Sequence, residues 1–273
     1  MLNEEELNKR DPDFIKKHLP KLNFFFDHYH DVKIEGLEDI PPAPSLIVGN
    51  HNGGIVAPDM FALMQAHWRL HGLEDAAYGL MHDFIFKVPI FGSVMAKFGA
   101  VPANRRNAEA LLKEGARVLV YPGGDLDAFR PSRKKEQIVF GERRGFIRLA
   151  IQSGVPIVPV VSAGAHDGFY VLSDGVEFAR TVRLKRWTRI EVFPVALGLP
   201  WGIGFGPLGY IPPPLRIRLR VLRPICWPEL PKEAANDDAI VDRCKQEVHA
   251  LMQEALTDLI QTETAGLRLP WRR

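Results

Sequence analysis

The sequence predicts a single α/β domain built on a mostly parallel central sheet with helices on both faces. Short aliphatic runs bounded by turn residues, such as Leu46-Ile47-Val48 and Val155 to Val161 (VPIVPVV), have the length and composition of strands buried on both sides. Amphipathic helical stretches separate them, and strands alternating with helices favour parallel pairing through crossover connections. No internal repeat or linker interrupts the 273 residues, a length that supports one large domain.

The elements follow in order. Asp13 to His30 is predicted helical with an interruption at Pro20, and it carries an aromatic patch at Phe24, Phe25, Phe26 and Tyr29. Asp31 to Glu35 reads as a short strand, Gly36 to Pro44 as a turn, and residues 45–49 as the next strand. Pro58 to His71 is a helix whose start is marked by Pro58-Asp59. Ala76 to Leu80 is a strand, and Phe84 to Phe98 a helix entered through Pro89. Asn107 to Glu114 is helical, and Arg117 to Tyr121 (RVLVY) is a strand ending in Pro122-Gly123-Gly124. Gly145 to Ser153 is a helix and Val155 to Val161 a buried strand. Arg216 to Leu222 (RIRLRVL) alternates with period two and should keep one face in water. Asp237 to Gln261 is a long amphipathic helix. The expected organisation is an N-terminal aromatic helical segment over 1–30, a central domain over 31–225, and a C-terminal helical segment over 226–273 packed on it.

Composition is that of an ordinary globular protein, 46% hydrophobic and 25% charged, with a net charge of +2. The cations are clustered. Residues 130–148 carry Arg130, Arg133, Lys134, Lys135, Arg143, Arg144 and Arg148, and a second group is Arg183, Lys185, Arg186 and Arg189. Each cluster reads either as solvated surface or as a contact for an anionic partner such as a phospholipid face or a CoA phosphate. Cys226 and Cys244 form no metal-type pair, and the polar N-terminus MLNEEELNKRD lacks the pattern of a secretory leader, so a reducing cytosol is expected. Val192 to Leu215 is uncharged but broken repeatedly by proline and glycine, so it should not span a bilayer. Its readings are an exposed apolar wedge in one leaflet, a lid over an apolar pocket, or a buried connection.

The run HNGGIVAPD, His51 to Asp59, follows directly on the strand at 45–49. It places an imidazole, two flexible glycines and a carboxylate at a strand mouth, where open α/β sheets build their sites. A histidine supported by a carboxylate can take a proton from a hydroxyl near neutral pH. Three further stretches belong with it: Gly99-Ala100-Val101-Pro102-Ala103-Asn104-Arg105-Arg106-Asn107, then Val120 to Arg130 around Pro122-Gly123-Gly124, and Gly154 to Val160.

In order and spacing these four stretches resemble the four blocks of the glycerolipid acyltransferase superfamily, the lysophosphatidate and glycerol-phosphate acyltransferases. The variant with Pro-Gly-Gly in place of Pro-Glu-Gly is similar to the monoacyl- and diacylglycerol acyltransferase-like branch. The resemblance covers about residues 31–225. It implies a glycerol-phosphate acyltransferase-like fold and transfer of a fatty acyl group from acyl-CoA or acyl carrier protein to a glycerolipid hydroxyl. In that scheme His51 is the general base and Asp59 its supporting carboxylate, with no covalent enzyme intermediate. The family pattern has four residues between these two; here there are seven, and Val56 stands where the usual Asp would fall. Either the glycines bulge to bring Asp59 to His51, or Asp125 or Asp127 supplies the carboxylate.

The resemblance further implies that Arg105 or Arg106 contacts the acceptor phosphate. Arg130 binds phosphate or pairs with Asp127. Gly123 and Gly124 would let the backbone approach the reacting carbonyl and donate N–H groups to it. The implied partners are an acyl-donor thioester, a glycerolipid acceptor and the cytosolic face of a membrane, held peripherally, with no cofactor, metal or nucleic acid. Two other readings stand beside it: a non-catalytic lipid-binding module on the same fold, and a lipid hydrolase using His166-Asp167. Adjacent residues on an extended chain point to opposite faces, which argues against the latter pair converging. The chain has no G-x-S-x-G elbow, no phosphate-loop or dinucleotide fingerprint, and no HExxH.

Overall fold

The computed structural model describes residues 9–88 and 90–268. The main sheet contains strands β1 (Asp31–Glu35), β2 (Ser45–Gly49), β3 (Ala77–Met81), β4 (Ala100–Pro102), β5 (Arg117–Val120), β6 (Ile157–Ala163), β10 (Leu215–Val221) and β11 (Gly266–Leu267). Its order is β1-β10-β6-β2-β5-β3-β4, with β11 beside β10. The block from β6 to β4 is parallel throughout, β10 runs antiparallel to β6, and β1 pairs parallel with β10. The fold is therefore the mixed α/β arrangement with a mostly parallel sheet that the sequence predicts.

The strands of the parallel block are continuously apolar because both faces are covered, and alternate residues enter different layers. Leu46, Val48, Val118 and Val161 pack with the buried faces of α5 (Arg105–Lys113), α7 (Gly145–Ser153) and α10 (Asp238–Thr262). Ile47, Leu119, Val158 and Val160 pack instead with α2 (Pro58–His71) and with Ile15 of α1 (Pro12–Phe24). On α10, Val241, Cys244, Val248, Met252, Leu256 and Leu259 are buried at spacings of three and four, a single stripe along a 25-residue helix.

Several elements differ from expectation. Helix α1 runs through Pro20 without interruption and ends in a π-helical turn, Phe25–Tyr29. Pro20 is exposed, so the carbonyl that loses its donor can face water. The helix expected over 84–98 is two, α3 (Asp83–Lys87) and α4 (Phe91–Lys97), with Ile90 at φ 66° between them; Pro89 lies outside the described residues. Helix α5 starts two residues earlier than expected because the Asn104 side chain accepts the Asn107 N–H as its cap. The face of β10 expected to be wet is roofed: Arg218 is buried against Asp31 and Glu263, and Arg220 reaches Glu35 and Asp258.

A second sheet was not foreseen. Strands β7 (Tyr170–Ser173), β8 (Val195–Gly198) and β9 (Gly202–Phe205) form an antiparallel ribbon, and two short helices, α8 (Val176–Thr181) and α9 (Lys185–Thr188), connect β7 to β8. The uncharged stretch 192–215 is thus a hairpin with an extended tail. No helix among the described residues is long and apolar enough to cross a membrane.

The order of the main sheet positions the site. Strand β2 lies between β5 and β6, and the chain leaving β5 crosses over β2 to reach β6. Loops at the C-terminal ends of these three strands therefore converge on one crevice, the usual location of a site in an open α/β sheet.

Candidate active site

The loop leaving β2 is pinned before it turns. The Asn50 amide exchanges two hydrogen bonds with the Ser162 backbone on β6, at 2.7 and 3.0 Å, and the Asn52 side chain donates to the same carbonyl at 2.8 Å. Between them, the His51 backbone is held on both sides. Its N–H donates to Asp127 Oδ2 at 2.6 Å, and its carbonyl accepts from Arg130 Nη1 at 2.7 Å. The His51 ring, half-buried, lies 5.2 Å from the Tyr121 ring centre to centre. Its Nδ1 is buried without a hydrogen-bond partner among the described residues. Burial pushes the His51 pKa down to about 4, so the imidazole is neutral near pH 7.

The longer stretch between His51 and Asp59 folds as a tight bulge. Gly53 and Gly54 take φ of 75° and 55°, and Ala57, at φ 40°, closes the turn by donating its N–H to the Gly53 carbonyl. Tyr210 braces the bulge by donating its hydroxyl to that carbonyl at 3.1 Å. Helix α2 then starts at Pro58, which puts Asp59 in its first turn, fully buried.

Asp59 Oδ1 accepts the Met60 N–H at 3.0 Å, while Oδ2 is buried with no hydrogen-bond partner among the described residues. Burial raises its pKa to about 6, against the pull of the nearby Ser162 and Asn52 side chains and the Met60 N–H. No hydrogen bond joins Asp59 to the His51 ring among the described residues. Both groups adjoin Tyr121, which touches the His51 ring and whose hydroxyl pKa the Asp59 charge helps to raise.

Neither alternative carboxylate reaches the ring. Asp127 uses both oxygens elsewhere, accepting from the His51 N–H, the Val139 N–H and Arg130. Asp125 accepts from Arg143 at 2.6 Å and from the Glu191 N–H. The structure therefore does not make either one the ring partner of His51; Asp127 fixes the loop backbone instead.

The expectation that Arg130 binds an acceptor phosphate does not fit its surroundings. The guanidinium is buried and donates to the carbonyls of His51, Asp127, Lys134 and Lys135 and to the Asp127 and Asn52 side chains. These bonds use its planar fork completely. Of the two readings, the pairing with Asp127 is the one present.

The Pro-Gly-Gly turn is also more occupied than expected. The Gly124 N–H donates to the Tyr121 carbonyl at 3.0 Å, so it is not free to meet a reacting oxygen; Gly123 remains of the two expected donors. A Cβ on Gly123 would lie 2.3 Å from Asp127 Cβ and from the Val139 carbonyl oxygen, so close packing alone demands glycine there. Arg143 secures the turn from outside, donating to the carbonyls of Pro122 and Gly123 and to Asp125 and Glu191.

Arg105 and Arg106 open α5 at the end of β4, three strands from β2, roughly 14 Å at the usual ~4.8 Å spacing. Both are exposed. Arg105 is engaged by Glu109 and Gln152, whereas Arg106 has no ion pair or hydrogen bond among the described residues. His166 and Asp167 diverge: His166 Nε2 lies 3.0 Å from the Arg130 carbonyl, and Asp167 pairs with Lys135. Among the described residues no group of three His, Cys, Asp or Glu could hold a metal ion.

The sequence reading missed Asn50, Asn52, Tyr121, Arg143, Ser162 and Tyr210. The two asparagines flanking His51 were a usable signal, since short amides beside a strand end commonly bond nearby backbone. Tyr210 is 157 residues from its partner Gly53, and nothing local marks it.

A family model described as Acyltransferase matches residues 31–163. An uncharacterized protein of Mycobacterium tuberculosis is 27% identical over 242 residues, covering 88% of this chain and 65% of that protein. A bovine (Bos taurus) protein named "DGAT1/2-independent enzyme synthesizing storage lipids" is 29% identical over 227 residues, 83% of this chain and 60% of its own length. Diacylglycerol O-acyltransferase 2B of Umbelopsis ramanniana is 27% identical over 213 residues, 75% of this chain and 60% of that enzyme. The chain thus spans a little under two thirds of these relatives. The crystal structure of the 1-acyl-sn-glycerophosphate (LPA) acyltransferase PlsC of Thermotoga maritima shares the fold, with a TM-score of 0.54 at 17% identity, covering 93% of this chain and 86% of that one.

Proposed function

We propose that this chain, which an acyltransferase family model matches over residues 31–163, is a glycerolipid acyltransferase that moves a fatty acyl group from a thioester donor, acyl-CoA or acyl carrier protein, to a hydroxyl of a lysophospholipid or related glycerolipid. The observation that carries this reading is His51 itself: a neutral, half-buried imidazole fixed by its backbone at the mouth of β2, in the crevice of the sheet.

With Nδ1 turned inward, Nε2 is the nitrogen that meets the acceptor. His51 takes the hydroxyl proton as the oxygen attacks the thioester carbonyl, and the resulting imidazolium returns the proton to the departing thiolate. The carbon–oxygen bond forms as the carbon–sulfur bond breaks, so no enzyme nucleophile is required. General-base assistance of this kind is commonly worth about 10²–10⁴-fold. The buried charge of Asp59 favours the imidazolium that forms, without a direct hydrogen bond in the resting state. Gly123 is the backbone donor assigned to the developing oxyanion. Arg106, uncommitted at the start of α5, is the cation assigned to a phosphate on the acceptor. Substrates of this class place the protein at a membrane surface.

The test supplies labelled acyl-CoA and acyl carrier protein with lysophospholipid, monoacylglycerol, diacylglycerol and simple alcohol acceptors. Transfer to a glycerolipid hydroxyl is expected. Release of free fatty acid without acceptor would identify a hydrolase, and no turnover with any acceptor would leave a lipid-binding module.

A further inference from the structure

The β7–β9 ribbon has two apolar faces. Its register places Val171, Ala196, Gly198, Gly202 and Gly204 on the inner face, where a narrow groove is closed by Phe129, Phe169 and Tyr210. Tyr170, Leu197, Ile203 and Phe205 alternate with them on the outer face, and all four are exposed. A sheet face meant for water should present polar residues at these alternate positions. Here Phe205 is 63% exposed; Trp201, at the hairpin turn beside the mouth of the groove, is 66% exposed. A contiguous patch of this kind is uncommon on a free surface.

Two neighbours extend the patch. On one side, the Phe178 ring lies 5.0 Å from that of Phe193, which packs under Gly206 at the end of β9. This joins the ribbon to α8 and α9, where Trp187 is 81% exposed beside the exposed cations Arg180, Arg183, Lys185, Arg186 and Arg189. Asp174, Glu177 and Glu191 are the acidic residues of the same segment, and Glu177 and Glu191 pair with Arg180 and Lys185. Arg189 pairs with Asp83, and among the described residues Arg183 and Arg186 have no ion pair. The bulge between His51 and Asp59 adjoins the mouth of the groove, where Tyr210 holds Gly53. Its tip, Ile55, is exposed and approaches Gly209 in the tail after the hairpin.

We propose that the outer face of the β7–β9 ribbon, together with Ile55 and the basic α8–α9 segment, is the surface by which this protein seats itself on an anionic lipid bilayer. The apolar side chains enter the interface while Arg183 and Arg186 meet lipid phosphates, the usual combination of burial and attraction for interfacial binding. The inference rests on the proposed acylation of a membrane lipid. It also gives a role to the exposed tip of the lengthened His51–Asp59 loop, Ile55.

The test is flotation of the full chain with vesicles of phosphatidylcholine alone or with 30% phosphatidylglycerol, alongside a Trp201→Ser/Phe205→Ser double variant, Arg183→Ser/Arg186→Ser, Ile55→Ser and His51→Ala. Wild type is expected to float with the anionic vesicles, with a blue shift of tryptophan emission. At least a tenfold loss is expected in the first two variants and a smaller loss in Ile55→Ser. His51→Ala should float like wild type, so that loss of the chemistry and loss of the surface are separate results. Sedimentation of all variants checks folding and association. Equal binding to both vesicle types, unchanged flotation of the hairpin variant, or no flotation of wild type would overturn the proposal. So would a wild-type dimer in solution that becomes monomeric in the hairpin variant, since a second copy would then cover the face.

Discussion

The Asp127 carboxylate holds the His51 backbone N–H at 2.6 Å, while Arg130, paired with Asp127, holds the His51 carbonyl at 2.7 Å. A buried ion pair from the third sequence block thus clamps the first block by its main chain and leaves the imidazole to other work.

Asp127→Ala should be strongly destabilising. It leaves the Arg130 guanidinium buried without its counter-charge and frees the N–H of His51, and breaking one partner of a buried pair costs about 3–5 kcal/mol. Denaturant unfolding at pH 7 measures it. A loss below about 1 kcal/mol would show that the clamp is not structural.

Asp59 governs the acid side of the pH profile in the proposed mechanism. His51 is neutral above about 4 and Asp59 ionised above about 6, so kcat/KM should fall with a midpoint near 6 in the wild type and move toward 4 in Asp59→Asn. Stability runs the other way. The folded Asp59 pKa is raised from 3.8, so below that value both states hold the proton, and the penalty of ionising a buried group grows as pH rises through 6. Asp59→Asn should therefore unfold at higher denaturant than wild type at pH 8, by about 1–3 kcal/mol, with the difference vanishing near pH 4. An unchanged acid limb, or a variant less stable at pH 8, would remove Asp59 from this role.

Gly123→Ala places a methyl against the Val139 backbone oxygen and the Asp127 side chain, neither of which can yield freely. Overpacking of this kind costs about 1–3 kcal/mol, and activity should drop with it as the turn shifts. The melting temperature and the transfer rate of the variant check both.

Arg106→Ala should raise KM for a phosphate-bearing acceptor about tenfold and leave acceptors without phosphate unaffected. Arg105→Ala, whose guanidinium is already engaged by Glu109 and Gln152, should do much less. Equal effects on both acceptor types would argue against phosphate contact.

The sheet was legible because its cues are local. The central strands carry short aliphatic runs such as Leu46-Ile47-Val48 and Val118-Leu119-Val120, and Pro58 and Gly145 sit at the helix starts expected of them. The position of His51 at the mouth of β2 was equally plain. What could not be read was the pairing of distant polar groups. Most of the basic run over 130–148 is turned inward, with Arg143 on Asp125 and Arg144 and Arg148 on α10, because acidic partners come from elements up to 98 residues away. The β8–β9 hairpin is hard to read because glycine and proline recur through and around it from Pro194 to Gly209, and those residues ordinarily punctuate strands. Its period-two pattern alternates apolar side chains with glycine, not with polar residues.

The central claim is that His51 is the general base. The direct measurement is the single-turnover rate of acyl transfer to a glycerolipid hydroxyl by His51→Ala, on protein whose unfolding midpoint matches wild type. The expected result is a rate reduced about 10²–10⁴-fold with acyl-donor affinity preserved. Transfer within a few-fold of wild type would contradict it.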